Sequence, residues 1–578
     1  MKKLFLITSL VILALTSVFF AASCGDDGAH TSGLIFAYHD GEYSVSGYEV
    51  SSSKVVIPEY YNDGENGRGR VTSIDESVFL YANITSIELP DSIKTIGKTA
   101  FYGCSKLEEI ELPKKLEVIG DAAFCGCSKI ESITLPESLV SIGDSAFAMT
   151  GLKSIEIPEK VSEIKQAFVS NCPSLTEITV DADNEKFSAV NGNLYSKDKT
   201  RLIAYAPGKN EATPSIESSV TSYAPYAFSM APNMTSFTIP ATVTELSPFV
   251  FEGCEKLKSV TIESKLTTLP EGVFYECTSL VDVIVPSSLK TIEAGAFYGC
   301  SAIRALNLPA SITKIGDQAF RNCSSLINFQ FPGFLESIGD FAFNGCTSLK
   351  TASLADHLKT IGESAFLDCT SLSRVVFGAS IESIGKSAFS GCIALTDVYL
   401  PDKLTELGEG AFYKCSSLTN VDLGSSLTYI PDYAFGFCTG IEYFFVPTQV
   451  TKIGDCCFSA CSNLKAVVPY DDSTNFKTDG SALYTYDMKT LIYYFIPVAS
   501  KNFAIPESVT EIRKYAFHYA VNLDSITVPA SVEKIGESAF AKAENLKKIT
   551  FVGTADRWAE IGGAKTAYAS DAEIIFNK

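Results

Sequence analysis

The sequence predicts a repeat solenoid: a parallel β-ladder wound from 23-residue units, with short helical or 3-10 turns and two β-hairpin inserts. Three observations predict it. First, Phe returns every 23 residues without exception, from Phe228 through Phe251, Phe274, Phe297, Phe320, Phe343, Phe366, Phe389, Phe412 and Phe435 to Phe458. Second, one phrase recurs around each Phe, as in Ile315-Gly316-Asp317-Gln318-Ala319-Phe320-Arg321-Asn322-Cys323-Ser324-Ser325-Leu326. Third, a short apolar run and often a Pro follow, as in Val283-Ile284-Val285-Pro286. A fixed period of roughly 20 to 50 residues marks a stacked array. A single unit is too small to bury its own apolar face, so neighbours must stack and the repeated apolar positions become columns through a continuous core.

Composition agrees. At 578 residues a globular chain would divide into several domains, but an elongated array reaches this length without separate cores. With 67 acidic and 46 basic residues the formal net charge is -21, and no long run of Lys or Arg occurs. That balance argues against nucleic acid, whose binding needs a basic footprint. It suits an exposed protein kept apart by like charge.

The phrase L-x-x-I-x-I-P-x-x-L-x-x-I-G-x-x-A-F-x-x-C resembles the leucine-rich repeats of the BspA-like bacterial surface proteins. The resemblance spans nearly the whole mature chain. It implies a curved leucine-rich repeat solenoid on the bacterial cell surface that binds host matrix proteins, other cells or glycans. Because folds do not fix function, the binding role follows less directly than the fold.

Taken in order, residues 1-23 read as an export signal. Lys2 and Lys3 precede an apolar run from Leu4 to Phe20, and Ala21-Ala22-Ser23 stands before Cys24. This resembles a bacterial lipoprotein signal, which would make Cys24 the lipidated N-terminus. It departs at Ala21, where Leu is usual, and ordinary signal peptidase could cut the same small residues to give a secreted or periplasmic protein. The apolar run is short for a membrane helix, so the membrane is reached only through the lipid anchor. Residues 24-32 form a polar tether. Residues 33-70 form an N-terminal hairpin cap, because Asp40-Gly41 separates two alternating runs.

A first repeat block, 71-180, carries Phe79, Phe101, Phe124, Phe147 and Phe168. The main block, 218-468, carries the strict ladder, and the last repeats, 507-551, carry Phe517 and Phe540. That makes eighteen Phe-marked turns. The hairpin inserts, 181-217 and 469-506, resemble one another: Asn193-Leu194-Tyr195 with Leu202-Ile203-Ala204-Tyr205, against Ala482-Leu483-Tyr484 with Leu491-Ile492-Tyr493-Tyr494. Each reads as two strands joined by a polar turn, either a binding element or a structural splice between sub-arrays. The C-terminal cap, 552-578, holds the only Trp, Trp558, which with Ile561 closes the last coil.

Sixteen of the 17 cysteines follow Cys24, and twelve of them stand three residues after a repeat Phe, from Cys104 to Cys461. Disulfides between coils, a metal column and buried free thiols are the three readings. Parallel side chains fit a bridge poorly, and no His accompanies the column to make a metal site. Ala82, Ala231, Ala520 and Ala543 replace Cys in other repeats. Ala can stand in for a small buried thiol but not for a ligand or a bridge, which favours free thiols. The close pairs Cys125 with Cys127 and Cys456 with Cys457 stay open.

The four His, at 30, 39, 357 and 518, have no nucleophile or metal partner at recognisable spacing. Asp181-Ala182-Asp183-Asn184-Glu185 hints at a calcium loop but has Lys186 where that loop needs Gly, so it reads as a turn. No serine elbow, phosphate loop or paired-carboxylate motif stands out. The reading is therefore no enzyme, no cofactor and no metal.

The binding surface is the outer side of the strand ladder. In I-x-I the two Ile face inward and the middle residue faces out. That outward column reads Thr238, Thr261, Ile284, Asn307, Gln330, Ser353, Val376, Tyr399, Asp422, Phe445 across the main block. Mostly polar at first, it turns apolar late, and Tyr443 shares the face with Phe445. Exposed aromatics on adjacent turns make Val376, Tyr399, Tyr443 and Phe445 the candidate ligand-binding residues. The expected protein is a lipid-anchored adhesin-like binder of an extracellular protein. The alternatives are a glycan-capture lipoprotein working with partner enzymes and a structural envelope protein.

Overall fold

Each coil is closed by its own apolar residues and tied to the next by short parallel strands. The computed structural model describes residues 30–49, 52–495, 501–563 and 572–577. The signal segment and Cys24 lie outside the described residues, as do parts of the tether, the second insert and the C-terminal cap. Two compact units divide the chain: Met1–Val169 with Val180–Lys186, and Ser170–Thr179 with Phe187–Lys578. Both are built from the same coil, a parallel β-solenoid of about 21 turns in all, spaced by about 23 residues.

In the larger unit one ladder is made of two-residue strands. Lys314–Ile315, Ser337–Ile338, Thr360–Ile361 and Ser383–Ile384 pair in parallel, Ile338 opposite Ile361 and Ile361 opposite Ile384. The other ladder is made of two- to four-residue strands such as Thr351–Ser353 and Arg374–Val376, which pair Ala352 with Val375. An unbroken 23-residue period puts like residue beside like, so core columns form of necessity. From Phe228 to Phe458 the ring centroids of successive Phe lie 5.0–6.4 Å apart. Phe79, Phe101, Phe124 and Phe147 stack in the same way in the smaller unit, at 5.1–5.5 Å.

Three further positions of the phrase have specific roles between coils. After the ladder Ile comes Gly, because the preceding coil passes too close for a side chain. A Cβ on Gly339 would sit 2.6 Å from the Asp317 backbone nitrogen. The Asp that follows ties coils together: Asp317 Oδ1 accepts from the Asp340 N–H at 2.9 Å, and Asp340 Oδ1 from the Glu363 N–H at 2.7 Å. All sixteen cysteines after Cys24 are buried thiols outside any disulfide. The twelve in the column each donate their S–H to the carbonyl of a Phe 25 or 26 residues earlier, at 3.0–3.3 Å. Burial pushes the Cys104, Cys254 and Cys461 thiols up to about 12, which keeps them protonated and unreactive.

The expected helical or 3-10 turns are corrected. The solenoid turns are strings of separate hydrogen-bonded turns, and the one α-helix among the described residues is Ala555–Glu560. Left-handed residues two before and two after the Phe explain this. Gln318 and Asn322 flank Phe320 at φ 56° and 63°, and Ser364 and Asp368 flank Phe366 at 53° and 58°. Such residues interrupt any right-handed helical run. The strain is repaid by neighbours: Asn322 N–H donates to the Asn344 carbonyl of the next coil at 2.8 Å.

At the first insert Phe187–Val190, Asn193–Ser196 and Arg201–Ala204 form a three-stranded antiparallel meander. Its last strand then pairs in parallel with Ser222–Tyr223 and so rejoins the ladder. The second insert repeats the arrangement with Phe476–Thr478, Ala482–Thr485 and Thr490–Tyr494, which joins Glu511–Ile512. Both faces of this second sheet are buried. Leu483, Tyr493 and Phe495 belong to the core that holds Phe458, while Ala482, Tyr484 and Tyr494 belong to the core that holds Phe517. It is a wall between two stacks of coils rather than an arm. Each insert ends on a Tyr that takes the place of the Phe: Tyr205 lies 5.5 Å from Phe228 and Tyr494 lies 5.4 Å from Phe517. Counting by Phe alone misses these turns.

At the ends, Leu34–His39 and Glu42–Tyr48 pair antiparallel across Asp40-Gly41. Trp558 and Ile561 are buried, the Trp558 ring 5.2 Å from Phe551. Glu573–Asn577 adds in parallel to Lys548–Val552.

Candidate functional site

The strand face of the larger unit is set by alternation. In Tyr443–Val446, Phe444 and Val446 face the core while Tyr443 and Phe445 face out. Asp397–Tyr399 and Arg374–Val376 present Tyr399 and Val376 in the same way. All four predicted residues are exposed: Tyr399 by 61%, Tyr443 by 50%, Phe445 by 49% and Val376 by 44%. Ile284, at 63%, is also exposed but stands on a rung four coils before Val376.

The register corrects one expectation. Tyr399 pairs with Asp422, and Phe445 pairs with Val468. Tyr399 and Phe445 are thus not on adjacent turns. They are two coils apart, and Asp422 stands on the coil between them, paired with Tyr399 but in a different sheet from Phe445. In the neighbouring column Asp397 pairs with Asn420. Hydrogen bonds from Thr396 at 2.7 Å and Asn420 at 2.6 Å hold the Asp397 carboxyl below the ordinary range. Lys465 pairs with Glu442 at 2.6 Å and lies 5.6 Å from the Tyr443 ring. The face offers apolar and aromatic area interrupted by acids.

A second constellation lies beside the second insert and has no local motif. Ser459 Oγ is 2.6 Å from His518 Nδ1, and Cys456 Sγ is 3.7 Å from the same nitrogen. Arg513 reaches back to Asp455 at 2.9 Å and to the Ile453 carbonyl at 2.6 Å. Ser170 and Ser229 meet in the same way at the first insert, 2.9 Å apart. Partners 58 to 62 residues apart meet because the insert is looped out between them, so no spacing in the sequence announces them. Ser459 is fully buried and unreachable by substrate. Burial, with Lys542 as the smaller cause, pushes His518 down to about 4. The pair is a buried hydrogen bond that splices coils, not a nucleophile with its base.

Cys125, Cys127, Cys456 and Cys457 are buried thiols outside any disulfide. Asp181 to Lys186 forms a turn: Asp181 Oδ1 accepts from Asp183 N–H at 2.8 Å, and the buried Asn184 amide donates to the Pro158 and Val161 carbonyls at 2.8 and 3.0 Å. Among the described residues no helix is long and apolar enough to cross a membrane.

Fold and face together define a class: a repeat solenoid that displays an open strand ladder. The chain belongs to the BspA type leucine rich repeat family, whose six-copy repeat region matches residues 72–196, 209–327, 290–415, 336–465 and 492–561. It is similar to a leucine rich cell surface protein from Faecalibacterium prausnitzii, at 26% identity over 53% of this chain and 96% of the other, with a TM-score of 0.41. A leucine-rich repeat protein from Eubacterium ventriosum is 23% identical over 67% and 95%, with a TM-score of 0.41. The pneumococcal vaccine antigen PcpA is 18% identical over 95% and 98%, with a TM-score of 0.29. No curated protein matches the chain.

Proposed function

We propose that this protein is a non-enzymatic surface binder, held to the bacterial membrane by a lipid on Cys24, that grips a polypeptide on its strand face through Val376, Tyr399, Tyr443 and Phe445. The observation that carries the reading is the concentration of exposed apolar side chains on this stretch of a face that is otherwise largely polar. A cluster of exposed apolar side chains supports an interaction site, and aromatic residues dominate binding energy at such sites. The mechanism is geometric. A ladder of fixed spacing offers several contacts at once, so binding costs little ordering of the protein. Family membership supports a protein-binding role.

The test is binding of the mature ectodomain to an array of extracellular-matrix proteins and an array of glycans, beside a Tyr399→Ala, Tyr443→Ala, Phe445→Ala triple variant. A protein hit lost in the variant supports the reading. A glycan hit in place of a protein hit replaces it with glycan capture. A protein hit unchanged in the variant places the site elsewhere.

A further inference from the structure

Resting on the protein-binding reading, we infer that Tyr399, Asp422 and Phe445 form a slot for a cationic side chain, so that the partner polypeptide presents a Lys or Arg there. Three consecutive coils carry ring, carboxylate and ring: Tyr399 pairs with Asp422 in one ladder, and Phe445 stands one 23-residue step further on, in the strand that opens the next ladder. The stacked Phe of these three coils lie 5.4 Å apart (Phe389 to Phe412) and 5.6 Å apart (Phe412 to Phe435), so the two ring-bearing positions are separated by about 11 Å. Side chains stand roughly perpendicular to a sheet. The two rings therefore rise as walls, and the shorter Asp422 side chain forms a floor between them. A cation on the middle coil would lie about 5.5 Å from each ring, inside the roughly 6 Å reach of a cation–π contact.

The floor is available. Asp422 is exposed, its Oδ1 accepts from the Gly424 N–H at 3.0 Å, and among the described residues no basic side chain forms an ion pair with it. The nearby cations do not fill the slot. Lys465 is held by Glu442 at 2.6 Å, and Arg374 lies on the rung beyond Tyr399, next to Asp397. On the same face the Lys465 ammonium already lies 5.6 Å from the Tyr443 ring. That contact is an internal example of the interaction proposed for the partner. The charges facing the patch are Arg374 and Lys465 against Asp397, Asp422 and Glu442, so the patch carries a net negative charge, as does the whole chain at -21. A basic, apolar segment complements it, and an acidic one is repelled.

The test uses the mature ectodomain labelled with 3-fluorotyrosine, titrated with N-acetyl-lysine amide, N-acetyl-arginine amide and, as the neutral control, N-acetyl-norleucine amide. The expected result is saturable movement of the Tyr399 fluorine signal by the two cations and none by norleucine. Asp422→Asn keeps the acceptor for Gly424 and removes the charge. It should weaken cation binding roughly tenfold, as should Phe445→Ala. Equal response to norleucine, or cation binding unchanged in both variants, overturns the slot. The two readings fail separately. A protein partner lost in the triple variant but indifferent to Asp422→Asn leaves the binding face and removes the slot. Cation binding at Tyr399 with no protein partner leaves the slot and removes the function.

Discussion

Replacing Cys323 by Ala tests the reading of the cysteine column as packed thiols. Cys323 is fully buried and donates to the Phe297 carbonyl at 3.1 Å. The substitution removes one sulfur, comparable to a methylene, at about 0.8 kcal/mol of lost burial. A residual void of about 20 Å³ adds about 0.5 kcal/mol, and the weak S–H donor adds a few tenths. The carbonyl is not orphaned, since it also accepts from the Cys300 N–H at 3.2 Å. The sum is about 1.5 kcal/mol. Long arrays need not unfold as one unit, so the loss is best read by hydrogen exchange at the amides of coils 300 to 346, with denaturant unfolding alongside. Protection should fall by about tenfold in those coils and hold elsewhere. Wild-type protection should be the same with and without reductant. Collapse of the wild-type array in reductant, or a loss above about 4 kcal/mol, would refute the packing account and favour a bridge.

Two other outcomes follow from different parts of the chain. His518 is neutral in the fold because burial lowers it to about 4, whereas an unfolded His titrates near its ordinary 6.5. Between those values the unfolded state binds more protons, so stability rises with pH there and is lost as pH falls from 6.5 towards 4. A pH series of unfolding midpoints should show that slope flattened in His518→Gln, and an unchanged slope would remove His518 as its source. If Cys24 carries the proposed lipid, Cys24→Ala should move the protein from the membrane to the soluble fraction, and continued membrane retention on fractionation would exclude that anchor.

Much of this molecule is legible in its sequence because one period enforces both ladders. Once Phe320 recurs as Phe343, every residue between them has a fixed neighbour. Strand alternation then decides that Val376 and Tyr399 face out. The same arithmetic places Phe445 two periods beyond Tyr399, with Asp422 between, and only the periodic register makes that order matter. What the period could not show is whatever interrupts it. Tyr205 and Tyr494 keep the 23-residue step but change the letter, so turns beside the inserts go uncounted. Ser459 and His518 meet across a looped-out sheet, a contact with no local signature. The left-handed pair around each Phe is likewise hidden, because Gln318, Ser364 and Asp368 are not residues that announce it.

The inserts constrain where specificity can reside. Tyr484 and Tyr493 are buried on opposite faces of one sheet, in two different cores. Changing either disturbs a stack of coils before it alters a surface. The column positions are equally bound: Phe320, Cys323 and Leu326 are fully buried in one core, Phe320 stacks on Phe297 and Phe343, and Gly339 has no room for a side chain. The middle residue of the strand is under no such demand. From Ser353 to Val376, Tyr399 and Asp422 it changes in size, charge and polarity while the backbone register stays fixed, and Phe445 continues the same 23-residue step. Under the proposed function the partner reads that column, with a repeat distance of about 4.8 Å supplied where the strands pair. The sequence of side chains along it, ring then acid then ring, is the part of the molecule free to be particular.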